Sequence, residues 1–273
     1  MDYMAEAQLA LNTLRTRQAS LSSFCNWLVK RRHLPANPIY GMDRPPRQRT
    51  VPAVPSPALM DALVEATRRR GSPRDLGIFL LLRYTGMRRG AVASLRVGNL
   101  AGEWGLRRVR MKGGGTLDVP VPVPVMRFLQ RYVDQVLTSA IRTVTPETPL
   151  FWSAWGRRAG GMTCQPMTGK NIWRLCKVYG RQIGAPTLKP HDLRHGVAME
   201  VLGQRNNLEE VRALLGHARI DSTQIYTTIR PPQLKRAVAF YDRAAARVLR
   251  SSAHDTRMKV GVDPFTTGDQ SRN

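Results

Sequence analysis

Apolar residues return every three to four positions along several stretches of this chain, and prolines or glycines break the rhythm between them. Residues 4–16 fit a short helix and residues 20–33 a stronger one. In the second, Leu21, Phe24, Cys25, Leu28 and Val29 form a core-facing stripe. Lys30, Arg31 and Arg32 close that helix, where the backbone dipole favours positive charge. From Leu34 to Pro57 the periodicity stops. Pro35, Pro38, Pro45, Pro46, Pro52 and Pro55 hold this stretch extended, and Arg44, Arg47 and Arg49 charge it, so it reads as a basic linker.

Beyond the linker the start and stop signals are clearer. Ser56-Pro57 and Ser72-Pro73 are each an N-cap followed by proline at the first helical position, predicting helices to about Arg70 and Tyr84. Gly86 breaks the second, and a short helix over about 88–95 follows. Leu106 to Met111 and Thr116 to Val121 are extended runs around Gly113-Gly114-Gly115, the pattern of a β-hairpin with a flexible tip. Val125, Phe128, Leu129, Tyr132, Val133 and Val136 predict another amphipathic helix, and 152–166 an irregular loop. Helices are expected over about 168–183, 190–204, 207–215, 221–228 and 231–250. That over 207–215 opens on the capping box Asn207-x-x-Glu210 and ends at Gly216. The tail 251–273 has little apolar surface and reads as disordered. The expected class is mainly α with a small antiparallel β-sheet (α+β).

Composition narrows the partner. The 273 residues carry 43 Lys and Arg against 19 Asp and Glu, a net charge of +24, with 42% apolar residues. A folded body with that excess of guanidinium groups suits a polyanion, nucleic acid first and an anionic membrane second. No apolar run is long enough to span a bilayer. The N-terminus, with Asp2 and Glu6, lacks a basic-then-apolar leader, so no secretory signal is expected. Cys25, Cys164 and Cys176 are scattered and show no CxxC or zinc spacing, which fits a reducing, cytoplasmic setting.

Four islands can carry chemistry: Tyr84-Thr85-Gly86-Met87-Arg88-Arg89-Gly90, Met111-Lys112-Gly113-Gly114-Gly115, His191-Asp192-Leu193-Arg194-His195, and Leu214-Leu215-Gly216-His217-Ala218 followed by Thr223-x-x-Tyr226-Thr227. Each alone has an ordinary reading. Arg88 is a surface arginine after a helix break, Lys112 a solvated lysine, and His217 a helix cap. His191 and Arg194 share a helix face at i, i+3, and Tyr226 is a core or interface tyrosine. His191, His195, His217 and Asp192 also have metal-ligand chemistry, but Arg88 and Arg194 would repel a divalent cation.

Together, in the order Arg88, Lys112, His191, Arg194, His217, Tyr226, the islands resemble the tyrosine recombinase (phage integrase) family of the XerC/XerD type. The resemblance runs from about residue 20 to 235. It implies a partial helical core-binding DNA-binding domain and linker over 1–50, a catalytic domain over 51–235, and a C-terminal helix over 236–250. It further implies a site-specific recombinase that cleaves and rejoins duplex DNA through a covalent 3′-phosphotyrosine, without metal, ATP or any cofactor. Tyr226 would be the nucleophile. Arg88 and Arg194 would clamp the phosphate oxygens, His217 would donate to a non-bridging oxygen, His191 would accept the tyrosine proton, and Lys112 would protonate the leaving 5′ oxygen. His195 is then a packing residue. The implied partners are double-stranded DNA, a homotetramer on paired sites, and an accessory DNA-bending or directionality factor, with nucleoid association and no membrane. The competing expectations are a non-catalytic or decayed DNA-binding paralogue and a type IB topoisomerase-like relaxation activity.

Two departures stand out. Ala91 sits where the family usually has an acidic residue, which is expected to slow rather than abolish chemistry. Residues 1–34 leave room for only the last two helices of the family's core-binding bundle, so either the true start lies upstream or this is a shortened form, and a half bundle is expected to expose Leu21, Phe24 and Leu28.

Overall fold

A computed structural model of the chain describes residues 9–48, 54–70, 72–100, 105–111, 113–141, 143–153, 157–158, 161–162, 165–205 and 238–250. The chain divides into two compact units, residues 1–52 and 53–273.

In the first unit, Leu11–Lys30 forms one continuous helix, α1. The two helices expected over 4–16 and 20–33 are therefore a single element across 11–30. Arg17, Gln18 and Ala19, between the two stripes, are good helix formers, and no glycine or proline interrupts them. Residues 4–8 lie outside the described residues. Cys25 is buried, whereas Leu21 and Phe24 remain exposed as expected and Leu28 is half-buried. Over 34–48 the proline-rich stretch is held by side chains of α1. Asn12 donates to the Gln48 carbonyl and accepts from its N–H, Arg15 donates to the Pro45 carbonyl, and Gln18 to that of Asp43. Prolines remove backbone donors and leave carbonyls to be satisfied, and side chains of α1 meet that need here.

The second unit is built around a helix with no wet face. After α2 (Pro57–Arg69), α3 (Pro73–Thr85) buries every one of its residues. Ser56 and Ser72 cap the two helices by accepting from the N–H groups of Leu59 and Asp75, as the Ser-Pro pairs predict. The charged groups of α3 are partnered, whereas the buried Tyr84 hydroxyl has no hydrogen-bond partner among the described residues. Asp75 accepts from Arg74 Nε at 2.9 Å and from the Tyr179 hydroxyl at 2.7 Å. Arg83 reaches Asp61 at 2.7 Å and Glu200 at 2.8 Å.

Gly86, left-handed at φ 62°, ends α3, and a short helix α4 (Arg89–Ala93) follows. A 3₁₀ turn, Val97–Leu100, leads to the hairpin β1 (Gly105–Arg110) and β2 (Thr116–Pro120). The register slips between Leu106 and Val109, so Arg107 and Arg108 together face Asp118, whose carboxylate accepts from the Arg108 N–H. This bulge turns both Leu106 and Val109 into the core, which strict alternation would not allow. Next comes α5 (Val123–Tyr132), a π turn over Val133–Leu137, and α6 (Thr138–Ala140). The stretch expected to be an irregular loop contains two short antiparallel pairings instead, β3 (Trp152–Ser153) with β6 (Gln165–Pro166), and β4 (Arg157–Arg158) with β5 (Gly161–Met162). Ladders this short leave no periodicity for a sequence to show.

Helices α7 (Gly169–Gln182), α8 (Pro190–Arg205) and α9 (Tyr241–Arg250) complete the described chain. Helices α2, α5 and α8 pack on α3, while α9 packs on α5, α2 and α3. The architecture is mostly helical with small antiparallel sheets, the class expected. The helices expected over 207–215 and 221–228, the first residues of that over 231–250, and the tail 251–273 lie outside the described residues.

Candidate active site

Arg88 owes its place to the end of α3. The Thr85 hydroxyl bonds back to the Leu81 carbonyl at 2.6 Å and accepts from the Met87 N–H, while Gly86 turns the chain through a left-handed conformation. The chain leaves α3 at once, and Arg88 becomes the N-cap of α4 in an extended conformation. A side chain at Gly86 would strain this corner.

Helix α8 brings His191 and Arg194. The Lys189 N–H donates to the Asp192 carboxylate at 2.9 Å, half of a capping box, and Pro190 occupies the first helical position. Asp192 thus serves the start of its own helix. Arg194, only 4% exposed, donates to the Gly86 carbonyl at 2.8 Å. One hydrogen bond therefore ties the first arginine's corner to the second arginine. The rings of His191 and His195 meet edge to face at 4.4 Å. His191 sits at the cavity rim. Lost hydration, followed by the positive charge of His195, Arg194 and Arg88, holds its pKa below the ordinary 6.5, against an opposing pull from Asp192.

Arg88, His191 and Arg194 line one cavity of about 700 Å³. Arg110 and Met111, at the end of β1, also line it, so the hairpin reaches this wall. The structure thus brings together three of the residues predicted from sequence. The other three, Lys112, His217 and Tyr226, lie outside the described residues. Ala91 lines the same cavity, and no carboxylate does among the described residues that form its wall. Arg89, which the sequence placed in the first island without a role, also lines it, as do Arg110, Lys189 and Trp173, which the sequence reading missed. Their one signal was adjacency to the recognised islands, and in so arginine-rich a chain adjacency does not discriminate.

Comparison with known proteins decides the family. Residues 56–232 match the Phage integrase family. The chain belongs to the phage integrase family. It is an enzyme of the tyrosine recombinase type, as its relatives are named. It is 30% identical over 263 residues to the tyrosine recombinase XerC of Herpetosiphon aurantiacus, covering 94% of this chain and 81% of that one. Among solved structures, the integrase from mycobacterium phage Brujita aligns over 90% of this chain and 80% of its own, with a TM-score of 0.54 at 21% identity. The XerH recombinase bound to palindromic difH substrate in a post-cleavage complex reaches a TM-score of 0.62 at 17% identity, covering 86% of this chain and 69% of that one. At these identities the structural likeness establishes the fold.

Proposed function

We propose that this chain is a site-specific DNA recombinase that cleaves and rejoins duplex DNA through a 3′-phosphotyrosine at Tyr226. The observation that carries the reading is the convergence of Arg88, His191 and Arg194, from two separate elements, on one cationic cavity. Cleaving a phosphodiester requires neutralising the charge that builds on its non-bridging oxygens, and two forked guanidinium groups suit that geometry. In the proposed step the Tyr226 hydroxyl oxygen attacks phosphorus, and the bond to the 5′ oxygen breaks. A phenol has a pKa of about 10, so its proton must be accepted, and a neutral His191 can take it. Lys112 supplies the proton to the leaving 5′ oxygen, and His217 donates to a non-bridging oxygen. The phosphotyrosine keeps the bond energy, so rejoining needs no ATP, and the two arginines supply the charge that a metal would otherwise provide. Pairing four protomers on two sites, with an accessory bending or directionality factor, turns cleavage into strand exchange.

Covalent trapping tests this. Wild type and Tyr226→Phe are incubated in EDTA, without ATP, with nicked duplex fragments from the DNA flanking the gene, and resolved on denaturing gels. An adduct with wild type alone is expected. Salt-sensitive DNA binding with no adduct would favour the non-catalytic binder, and an adduct that EDTA abolishes would contradict metal-free chemistry.

A further inference from the structure

A phosphodiester has two non-bridging oxygens, and the forks of Arg88 and Arg194 suffice to occupy them. The cavity nevertheless presents three more cationic side chains, Arg89, Arg110 and Lys189. All three are exposed, and none has a carboxylate partner among the described residues. Clustered like charges repel one another unless an anion sits between them. Among the described residues of the wall none supplies that anion.

Room for a second anion is present as well. A volume of about 700 Å³ belongs to the range that receives whole small-molecule ligands, well above what one phosphate fills. Gly90 faces open space, with nothing within 4 Å of where a Cβ would stand. The wall opposite is organised rather than loose. The Arg89 stem lies against Gly169, at 3.5 Å from a Cβ built there, and Trp173 is one turn further along α7. Trp173 also lines the cavity, 38% exposed, with the Lys177 ammonium 5.6 Å from its ring centre. An exposed aromatic surface beside cations is the combination that holds nucleotides, by contact with sugar or base and by charge on phosphate.

We propose that Arg89, Arg110 and Lys189 form a second phosphate site in this cavity, which takes the phosphate neighbouring the scissile one on the same DNA strand. The Trp173 face supports the intervening nucleoside. This rests on the reading that Arg88 and Arg194 hold the scissile phosphate. Two anchored phosphates fix the strand's direction as well as its position, so the site orients the diester for in-line attack.

The test uses two thymidine dinucleotides as probes, one with only its internal phosphate and one with an added 5′ phosphate. Their binding is measured by isothermal titration at low salt. In wild type the second phosphate is expected to raise affinity about tenfold. Arg110→Met and Lys189→Met remove that gain while leaving affinity for the single-phosphate probe unchanged. Arg88→Met weakens both probes equally. The side chains of Arg110 and Lys189 are exposed, so these variants are expected to melt with wild type, which a thermal scan verifies. Wild type that takes both probes equally, or neither, overturns the proposal, as does a gain that survives both variants. The readout needs no cleavage. A Tyr226 adduct without this discrimination sinks the second site alone, and discrimination without an adduct sinks the cleavage reading alone.

Discussion

At His191 the imidazole loses hydration against the cavity wall and faces the charge of His195, Arg194 and Arg88. Each influence penalises the protonated form. A base must be unprotonated to accept the tyrosine proton, so cleavage should rise with pH through a limb that lies below 6.5. Replacing His195 with asparagine removes one source of repulsion. We expect the limb to move upward in His195→Asn, read from adduct formation across pH 5 to 8 on one substrate. A limb unmoved by this change, or one already above 6.5 in wild type, would mean that His191 does not set it. The i, i+3 spacing of His191 and Arg194 made that pair legible from sequence. Lys189, two residues earlier, was not. Its place in the wall depends on the cap of α8, β1 and α4 bordering one cavity, and this is tertiary information.

Among the described residues, helix boundaries were legible where Ser-Pro pairs or a glycine announced them. Ser56, Ser72 and Gly86 each do in the structure what their types suggest. The misses share a cause, because each depends on pairing beyond the local sequence. The bulge at Arg107 and Arg108 needs β2 opposite, and the pairing of β3 with β6 joins distant residues. Helix α3 was legible as apolar, but its buried arginine was not legible as a clasp. Arg83 joins Asp61 on α2 to Glu200 on α8, and its guanidinium lies 5.2 Å from the Tyr241 ring centre on α9. One side chain thus ties α3 to three other helices, including the one that carries His191 and Arg194. Arg83→Met leaves two carboxylates without their cation. We expect a loss of about 3 kcal/mol in urea unfolding, near the low end for a broken buried pair. The Asp61 side chain is 40% exposed and can rehydrate, which keeps the loss from being larger. An unchanged midpoint would show that the clasp contributes nothing to the fold.

The whole molecule combines a net charge of +24 with a cavity whose described wall holds no carboxylate. Charge alone pointed to a polyanion, and the ordered islands narrowed this to one chemistry on DNA. The fold then placed Arg88, His191 and Arg194 on one wall. Cleavage through Tyr226 fixes both where the DNA becomes attached and by which end. The decisive measurement is peptide mapping by mass spectrometry of the trapped adduct, with kinase labelling of the released strand. We predict a nucleotide on the peptide containing Tyr226 and a free 5′ hydroxyl on the released strand. Attachment at another residue, or a released strand that carries a 5′ phosphate, would contradict it.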